Sequence, residues 1–430
     1  MKNNFTFFRE AKVFLLLWIT QSFSALGSSM TNFALVIWSY QQKGSALATS
    51  LLMVCSYAPY IILSIFAGAM SDRWNKKVVM LVCDTVAAFG TVAVLILLKT
   101  NSLELWHLYL LNALNGFMNT IQQPASEVAV TRILPQKYYQ KVGALRYISN
   151  SVNSIFTPVI ATALLAFAGL ETVIAFDLLT FIVAFISLLF FIKIPEDNNK
   201  AEVKESFIQS VKQGLVYLKN ERGILDLILF LACINFTASV FQAALPAMLL
   251  SKPAGGENAL GIVNTFRGVT MLLGSILASL LSKPKNRVKT ICYALLFSMS
   301  FENFFLAFGN SIPVWCIAEV LGWITIPIMS TNLEAILREK IPVGLQGRVF
   351  STRNTLQFFT IPVGYFLGGF VIDKFFEPFM ALQKSDSILV KAFGAGKGSG
   401  AAFLFFVIGF IGIFTCIFFM NDKNLKKMGK

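Results

Sequence analysis

Two apolar runs separated by seven polar residues limit what this chain can become. Residues 46–70 carry no charge and residues 78–98 carry only Asp84, with Ser71-Asp72-Arg73-Trp74-Asn75-Lys76-Lys77 between them. At about 1.5 Å per helical residue, each run is long enough to cross a hydrocarbon core of roughly 30 Å. The stretch therefore predicts a tight turn between two membrane-spanning helices. Gly68 allows one helix end to approach its neighbour, Asp72 can accept hydrogen bonds from helix N-terminal amides, and Arg73, Lys76 and Lys77 hold the turn on the side where basic loops stay.

The composition points the same way. Of 430 residues, 56% are hydrophobic and only 13% are charged, which lies outside the range of soluble globular domains. The formal charge of +14 is spread over short loops rather than gathered in a stripe, which argues for membrane orientation and against a nucleic-acid partner. The chain opens on a short basic head followed by an apolar run too long for a signal-peptide core, so the first span is expected to be retained. Cys55, Cys83, Cys233, Cys292, Cys316 and Cys416 lie scattered in apolar runs without C-x-x-C spacing and read as packing residues. His107 is the single histidine, and it reads as an interfacial polar residue. With no histidine-based metal site, no G-x-S-x-G elbow and no G-x-x-x-x-G-K-[ST] loop, neither an enzyme nor an ATP-driven pump is expected.

Twelve candidate spans can be marked, at 12–39, 46–70, 78–98, 105–128, 142–168, 171–192, 223–250, 258–281, 289–309, 312–335, 348–372 and 400–420. Basic residues concentrate at both termini and in the even-numbered loops, whereas the odd-numbered loops hold only lysines, among them Lys43, Lys99, Lys252 and Lys397. Both termini are therefore expected in the cytoplasm. Residues 194–222 form the one long polar segment on that side. Within it Val203, Phe207, Ile208, Val211, Leu215 and Leu218 recur at helical spacing among charges, predicting an amphipathic helix along the membrane surface. The expected organisation is an N-terminal six-helix half over 1–193, a cytoplasmic linker over 194–222 and a C-terminal six-helix half over 223–430.

An internal repeat supports two related halves. Glu127, Pro135, Lys141, Val142 and Arg146 follow E-x7-P-x5-[KR]-V-x3-R, and Glu334, Pro342, Arg348, Val349 and Arg353 follow it again, every position offset by 207. Parallel repeats about an axis along the membrane normal build the halves of facilitator-type transporters.

The pattern G-x-x-x-D-R-x-x-K-K, carried by Gly68, Asp72, Arg73, Lys76 and Lys77 directly after the second span, resembles the signature loop of the major facilitator superfamily. Ser210-Val211-Lys212-Gln213-Gly214-Leu215-Val216-Tyr217-Leu218-Lys219 is similar to the linker helix of its macrolide-efflux-like, drug/proton antiporter branch. The resemblance covers essentially the whole chain. It implies an all-α polytopic membrane protein of twelve transmembrane helices in two parallel six-helix repeats around a central cavity. Spans 1, 4, 7 and 10 would line that cavity, with spans 2, 5, 8 and 11 flanking it and spans 3, 6, 9 and 12 outside. Two features depart from the branch: span 4 holds no arginine, and the glycine-proline antiporter signature of span 5 is degraded to Ile155-Phe156-Thr157-Pro158-Val159-Ile160-Ala161-Thr162.

Under this arrangement the candidate functional residues fall into groups. Glu127 can pair with Arg132 or Arg146, and Glu334 with Arg338 or Arg353, while Asp72 could cap span 11 near Arg348; such contacts would form a cytoplasmic gate. A static basic anchor is the alternative reading of the same charges. Gln21, Asn32, Asn112, Asn115, Asn119, Gln122, Gln123, Asn235, Gln242 and Trp323 are cavity candidates, because amides in hydrocarbon need partners or water; bonding between helices is the alternative, and only the five amides of span 4 favour the cavity over it. Asp84 and Asp177, on supporting spans, read as structural bonds to neighbouring helices. Glu319, Arg267 and Glu302 lie at similar depth in spans 10, 8 and 9 and are the proton-coupling candidates, with a fixed buried ion pair as the alternative.

The expected function is export of amphipathic small molecules from the cell by proton antiport and alternating access, in the cytoplasmic membrane. The proton gradient would drive it with no cofactor, and the protein would work as a monomer in contact with substrate and bilayer. A siderophore, lipid or metabolite transporter of the same fold and a non-transporting receptor or scaffold stay open as alternatives.

Overall fold

Asparagine caps begin two of the helices on either side of the repeat. Asn75 accepts a hydrogen bond from the Val78 amide at 3.1 Å and starts α3, whereas Asn286 accepts from the Lys289 amide at 2.9 Å and starts α9. These details come from a computed structural model that describes residues 10–135, 138–195 and 207–428, apart from the side chains of 64–73, 139–141, 143–144, 147, 207–211, 343–344, 346–347 and 351. No strand occurs among the described residues.

The helices are α1 (Lys12–Lys43), α2 (Ala46–Arg73), α3 (Lys76–Lys99), α4 (Leu105–Ile133), α5 (Tyr139–Ile186), α6 (Phe207–Asn220), α7 (Arg222–Ser251), α8 (Glu257–Leu280) and α9 (Arg287–Phe308). They are followed by α10 (Ile312–Trp323), α11 (Ile326–Lys340), α12 (Val343–Phe358), α13 (Thr360–Val371), α14 (Glu377–Ala381), α15 (Ile388–Phe393), α16 (Ser399–Met420) and α17 (Lys423–Met428). At the start of α4 the Glu104 amide donates to His107 Nδ1 at 3.0 Å, so the lone histidine closes a helix end.

Among the described residues, ten segments are long and apolar enough to cross a membrane by length and composition. The twelve expected spans differ from these ten at two places. First, α4 is not among them, because its asparagines and glutamines lower its apolarity. Second, expected spans five and six count as one because the 48 residues of α5 are two helices joined end to end at a kink. That length exceeds twice the roughly 20 residues a crossing requires, and the kink lies between the two expected spans at Gly169, whose φ of 76° lies in the left-handed region. The tenth span is interrupted as well: α10 stops at Trp323, and α11 restarts at Ile326, each helix carrying proline in its first turn.

Phe167 is 90% exposed and Phe418 71% exposed, in keeping with side chains that meet lipid. Where lipid is as apolar as leucine, burial of hydrocarbon alone does not hold helices together, and close contact does. In α13, Gly364 lies against the Phe236 carbonyl of α7, and Gly368 against Val240. Burial is uneven among the spans: 61% of the most apolar stretch of α7 is buried, against 17% of that of α3.

The chain divides into two compact units, one from Met1–Ser39 with Cys55–Glu202 and one from Tyr40–Val54 with Val203–Lys430. The turn between α1 and α2 joins the second unit through polar contacts. Asp373 accepts from Ser45 Oγ at 2.5 Å and from the Ala46 and Leu47 amides at 3.0 Å each, capping α2, and the Tyr40 hydroxyl meets Ser251 Oγ at 2.5 Å. The amphipathic α6 rests in part on protein. Leu218 is buried with Ile224 and Val349, the Tyr217 hydroxyl donates to the Lys340 carbonyl at 3.0 Å, and Gly214 lies close to the Arg348 carbonyl of α12. Of the expected apolar face, Leu218 is thus buried on protein and Leu215 stays exposed, while the side chains of Val203, Phe207, Ile208 and Val211 lie outside the described residues.

Candidate functional site

Within the N-terminal unit, α1, α3, α4 and α5 surround a cavity of about 740 Å³. Gln21, Asn32, Asn115, Asn119, Gln122 and Gln123 all line it. Asn112 does not: it is buried and its Nδ2 donates to the Leu108 carbonyl of its own helix at 2.9 Å. Asp84 and Asp177 line it too. Both make the interhelical bonds expected of them, Asp84 accepting from Gln122 Nε2 at 2.6 Å and Gln21 Nε2 at 3.3 Å, and Asp177 from Ser28 Oγ at 2.9 Å. Their facing the cavity was missed, although a lone acid in an otherwise apolar span was the available signal. Hydroxyl bonds across α1 and α5, Ser22 to Ser149 at 2.7 Å and Asn153 to Ser29 at 2.9 Å, complete the polar wall.

In the C-terminal unit, α7, α8, α9 and α10 bring five polar side chains together. Arg267 donates twice to Glu319, Nε to Oε2 at 2.7 Å and Nη2 to Oε1 at 3.1 Å, and its Nη1 donates to Gln242 Oε1 at 3.2 Å. Its guanidinium carbon sits 4.9 Å from the Trp323 ring centroid and 5.5 Å from that of Phe241. Trp323 Nε1 in turn donates to Glu302 Oε1 at 2.7 Å. Glu319 is 0% exposed and Glu302 4%. Two carboxyls therefore share one guanidinium in a buried site. Gln242 and Trp323, read as cavity candidates, are partners of this cluster, while Asn235 donates to the Gln357 carbonyl at 3.1 Å.

The repeated charges form matched pairs. Arg146 Nη1 lies 3.1 Å from Glu127 Oε1, and Arg353 Nη1 lies 3.4 Å from Glu334 Oε1, the same 19-residue separation in each unit. Arg338 also reaches Glu334 at 3.5 Å, and Arg132 Nη1 instead donates to the Pro195 carbonyl at 3.3 Å. Arg348 donates to Gln213 of α6. Of the signature loop, the side chains of Gly68, Asp72 and Arg73 lie outside the described residues. Lys76 Nζ donates to the Trp74 carbonyl, and Lys77 Nζ binds the Leu189 and Ile192 carbonyls that end the sixth span, all at 2.9 Å. In the counterpart loop Arg287 pairs with Glu339 at 3.0 Å.

The two pairs differ in burial, which predicts unequal consequences. Arg146 and Glu127 are about half exposed, whereas the Arg353 side chain is 12% exposed and its Nε also donates to Gln357 at 2.9 Å. Arg146→Ala is expected to cost less than about 1 kcal/mol, whereas Arg353→Ala should cost about 1–3 kcal/mol by leaving the buried Gln357 oxygen without its donor. Thermal unfolding of the purified variants checks the order, and equal losses would contradict it. Insertion should be normal in both, since many other basic loop residues remain.

A membrane-spanning helical protein with a polar cavity in one unit and a buried ionic cluster in the other is built as a transporter. The chain belongs to the major facilitator superfamily, whose family model matches residues 17–252. It is similar to macrolide efflux protein A of Streptococcus pyogenes, 22% identical over 365 residues that make up 84% of this chain and 89% of that protein. Among solved structures, the nucleoside transporter NupG superposes with a TM-score of 0.69 at 11% identity, covering 97% of this chain and 100% of that one. A bacterial homologue of the iron transporter ferroportin does so with a TM-score of 0.69 at 15% identity, covering 96% and 99%. Those identities establish shared fold. The family and the relatives are membrane transporters rather than enzymes.

Proposed function

We propose that this transporter exports amphipathic small molecules across the cytoplasmic membrane in exchange for protons, by alternating access, as a monomer with both termini in the cytoplasm. The observation that carries the reading is the buried cluster of one guanidinium and two carboxyls at Arg267, Glu319 and Glu302. With both carboxyls ionised the cluster would hold an uncompensated negative charge in a low-dielectric setting, a costly state that one proton removes. Such a cluster can load and release a proton as its access to water changes. Export of amphipathic compounds is supported by the similarity to a macrolide efflux protein.

Glutamine substitutions test it because they retain volume and hydrogen bonding but cannot titrate. In proteoliposomes, Glu302→Gln and Glu319→Gln are expected to lose gradient-driven substrate movement while still permitting exchange of substrate down its own gradient. Active transport at the unaltered rate in both variants would refute proton coupling through the cluster.

A further inference from the structure

We propose that one buried water is bound where α9 passes the break between α10 and α11, held there by Ser298, and that this water carries the proton on and off Glu302. The site deepens the proton-exchange reading above and rests on it. Ser298 is 1% exposed, and its Oγ has no hydrogen-bond partner among the described residues. A serine inside a helix commonly bonds the carbonyl four residues back. Ser300 does so with the Leu296 carbonyl at 2.6 Å, and Ser275 with that of Met271 at 2.8 Å. For Ser298 the corresponding carbonyl is that of Ala294, and Thr325 Oγ1 already donates to it at 2.9 Å. With the helical amide of Ser298 as its other donor, that oxygen has both lone pairs in use. The hydroxyl needs a partner from elsewhere, because a buried hydroxyl without one is costly.

The surroundings supply a place for that partner. Ala294, Ser298 and Glu302 are spaced four apart and share one face of α9. Both ends of this stripe meet the break, Ala294 through Thr325 and Glu302 through Gly322 and Trp323. Ser298 lies between them, buried at the same level. There Pro327 has no amide hydrogen to give the Trp323 carbonyl four residues before it, so the break provides a backbone acceptor. Glu302 receives Trp323 Nε1 on Oε1, which leaves Oε2, on the side of Gly322. Ser298 and Glu302 are separated by about 6 Å along the helix axis, a gap that one water closes with a hydrogen bond of about 2.8 Å on each side.

Such a water accepts from the Ser298 hydroxyl and donates to the Trp323 carbonyl and to Glu302 Oε2, three bonds being usual for a buried water. When Glu302 gives up its proton, the carboxyl O–H bond breaks, the proton joins this water, and the water passes one of its own to solvent that has reached the break. One proton moves and the water is regenerated. Ser298 is a positioning residue in this step, and its hydroxyl can donate or accept, so it suits both states of Glu302.

The test follows the carboxyl infrared band of Glu302 in the purified full chain after a flash releases protons from a caged acid, the band being identified as the one that Glu302→Gln removes. Ser298→Ala is expected to slow the rise of that band at least tenfold, and Ser298→Thr, which keeps the hydroxyl, to restore the wild-type rate. Thermal unfolding of the same proteins reports on the water itself. Ser298→Ala should unfold at a lower temperature than the wild type, because it deletes a satisfied hydroxyl; an equal or higher temperature would show a hydroxyl with no partner and overturn the proposal. An unslowed band in Ser298→Ala would overturn it as well, while leaving Glu302 a coupling acid. If Glu302→Gln removes no band, Glu302 does not titrate, and proton exchange through it fails together with this site.

Discussion

Arg267→Leu is expected to destabilise the protein by about 3–5 kcal/mol and to abolish transport, because it removes one partner of a buried ion pair and leaves the other without a counter-charge. Glu319 has no exposure to water, and both of its oxygens accept from this one guanidinium. The same substitution takes the cation from between Trp323 and Phe241 and the donor from Gln242. The double change Arg267→Leu with Glu319→Leu should recover more than half of the lost stability, since it removes both charges and leaves volume to be packed by apolar atoms. It should not recover transport. Unfolding of the purified variants in one detergent gives the comparison, and a single substitution as stable as the wild type would show that the pair contributes nothing to holding α8 and α10 together.

Gly322→Val should be the next most damaging change, although it introduces no charge. A Cβ at Gly322 would fall on the carboxyl group of Glu302 and within 2.8 Å of its Cβ. Glu302 is 4% exposed and tied to Trp323, so the side chain has little room to move aside. Overpacking of this kind costs about 1–3 kcal/mol. It should also separate Glu302 from Trp323 and impair gradient-driven movement more than downhill exchange. Glu302→Ser in the Gly322→Ala background should relieve the clash and restore stability without restoring coupling. If Gly322→Val unfolds at the wild-type temperature, the close approach of α9 to α10 at this point is not a constraint.

Much of the architecture could be read from the chain because bilayer chemistry is severe. A run of apolar residues such as 46–70 has few alternatives in hydrocarbon, and the offset of 207 between Glu127 and Glu334 marks the two halves directly. The depths of Arg267, Glu302 and Glu319 could be counted along their spans, which brought them into one group before any contact was known. Rotation about the helix axis could not be counted in the same way. Asp84 and Asp177 lie on spans expected to support the others, yet both face the cavity. Asn112 shares a span with Asn115 and Asn119 yet bonds the Leu108 carbonyl of its own helix, and the indole of Trp323, open between a cavity and an interhelical bond, holds Glu302.

The amphipathic helix shows the same division. The spacing of Leu215 and Leu218 reports an apolar face, but a helix with such a face can be satisfied by lipid headgroups or by protein. Leu218 is buried in one cluster with Val349 and Gly214 lies close to Arg348, whereas Leu215 stays exposed, a division between neighbours on one helix that spacing does not report. By itself the sequence determined which segments are apolar enough to enter a membrane, where loops turn and which ionisable residues are carried inside. Those properties depend on transfer free energies that each segment holds locally. Tertiary structure decided which of those ionisable groups meet, which face a cavity and which are neutralised, because contact depends on the rotation and closeness of helices far apart in the chain.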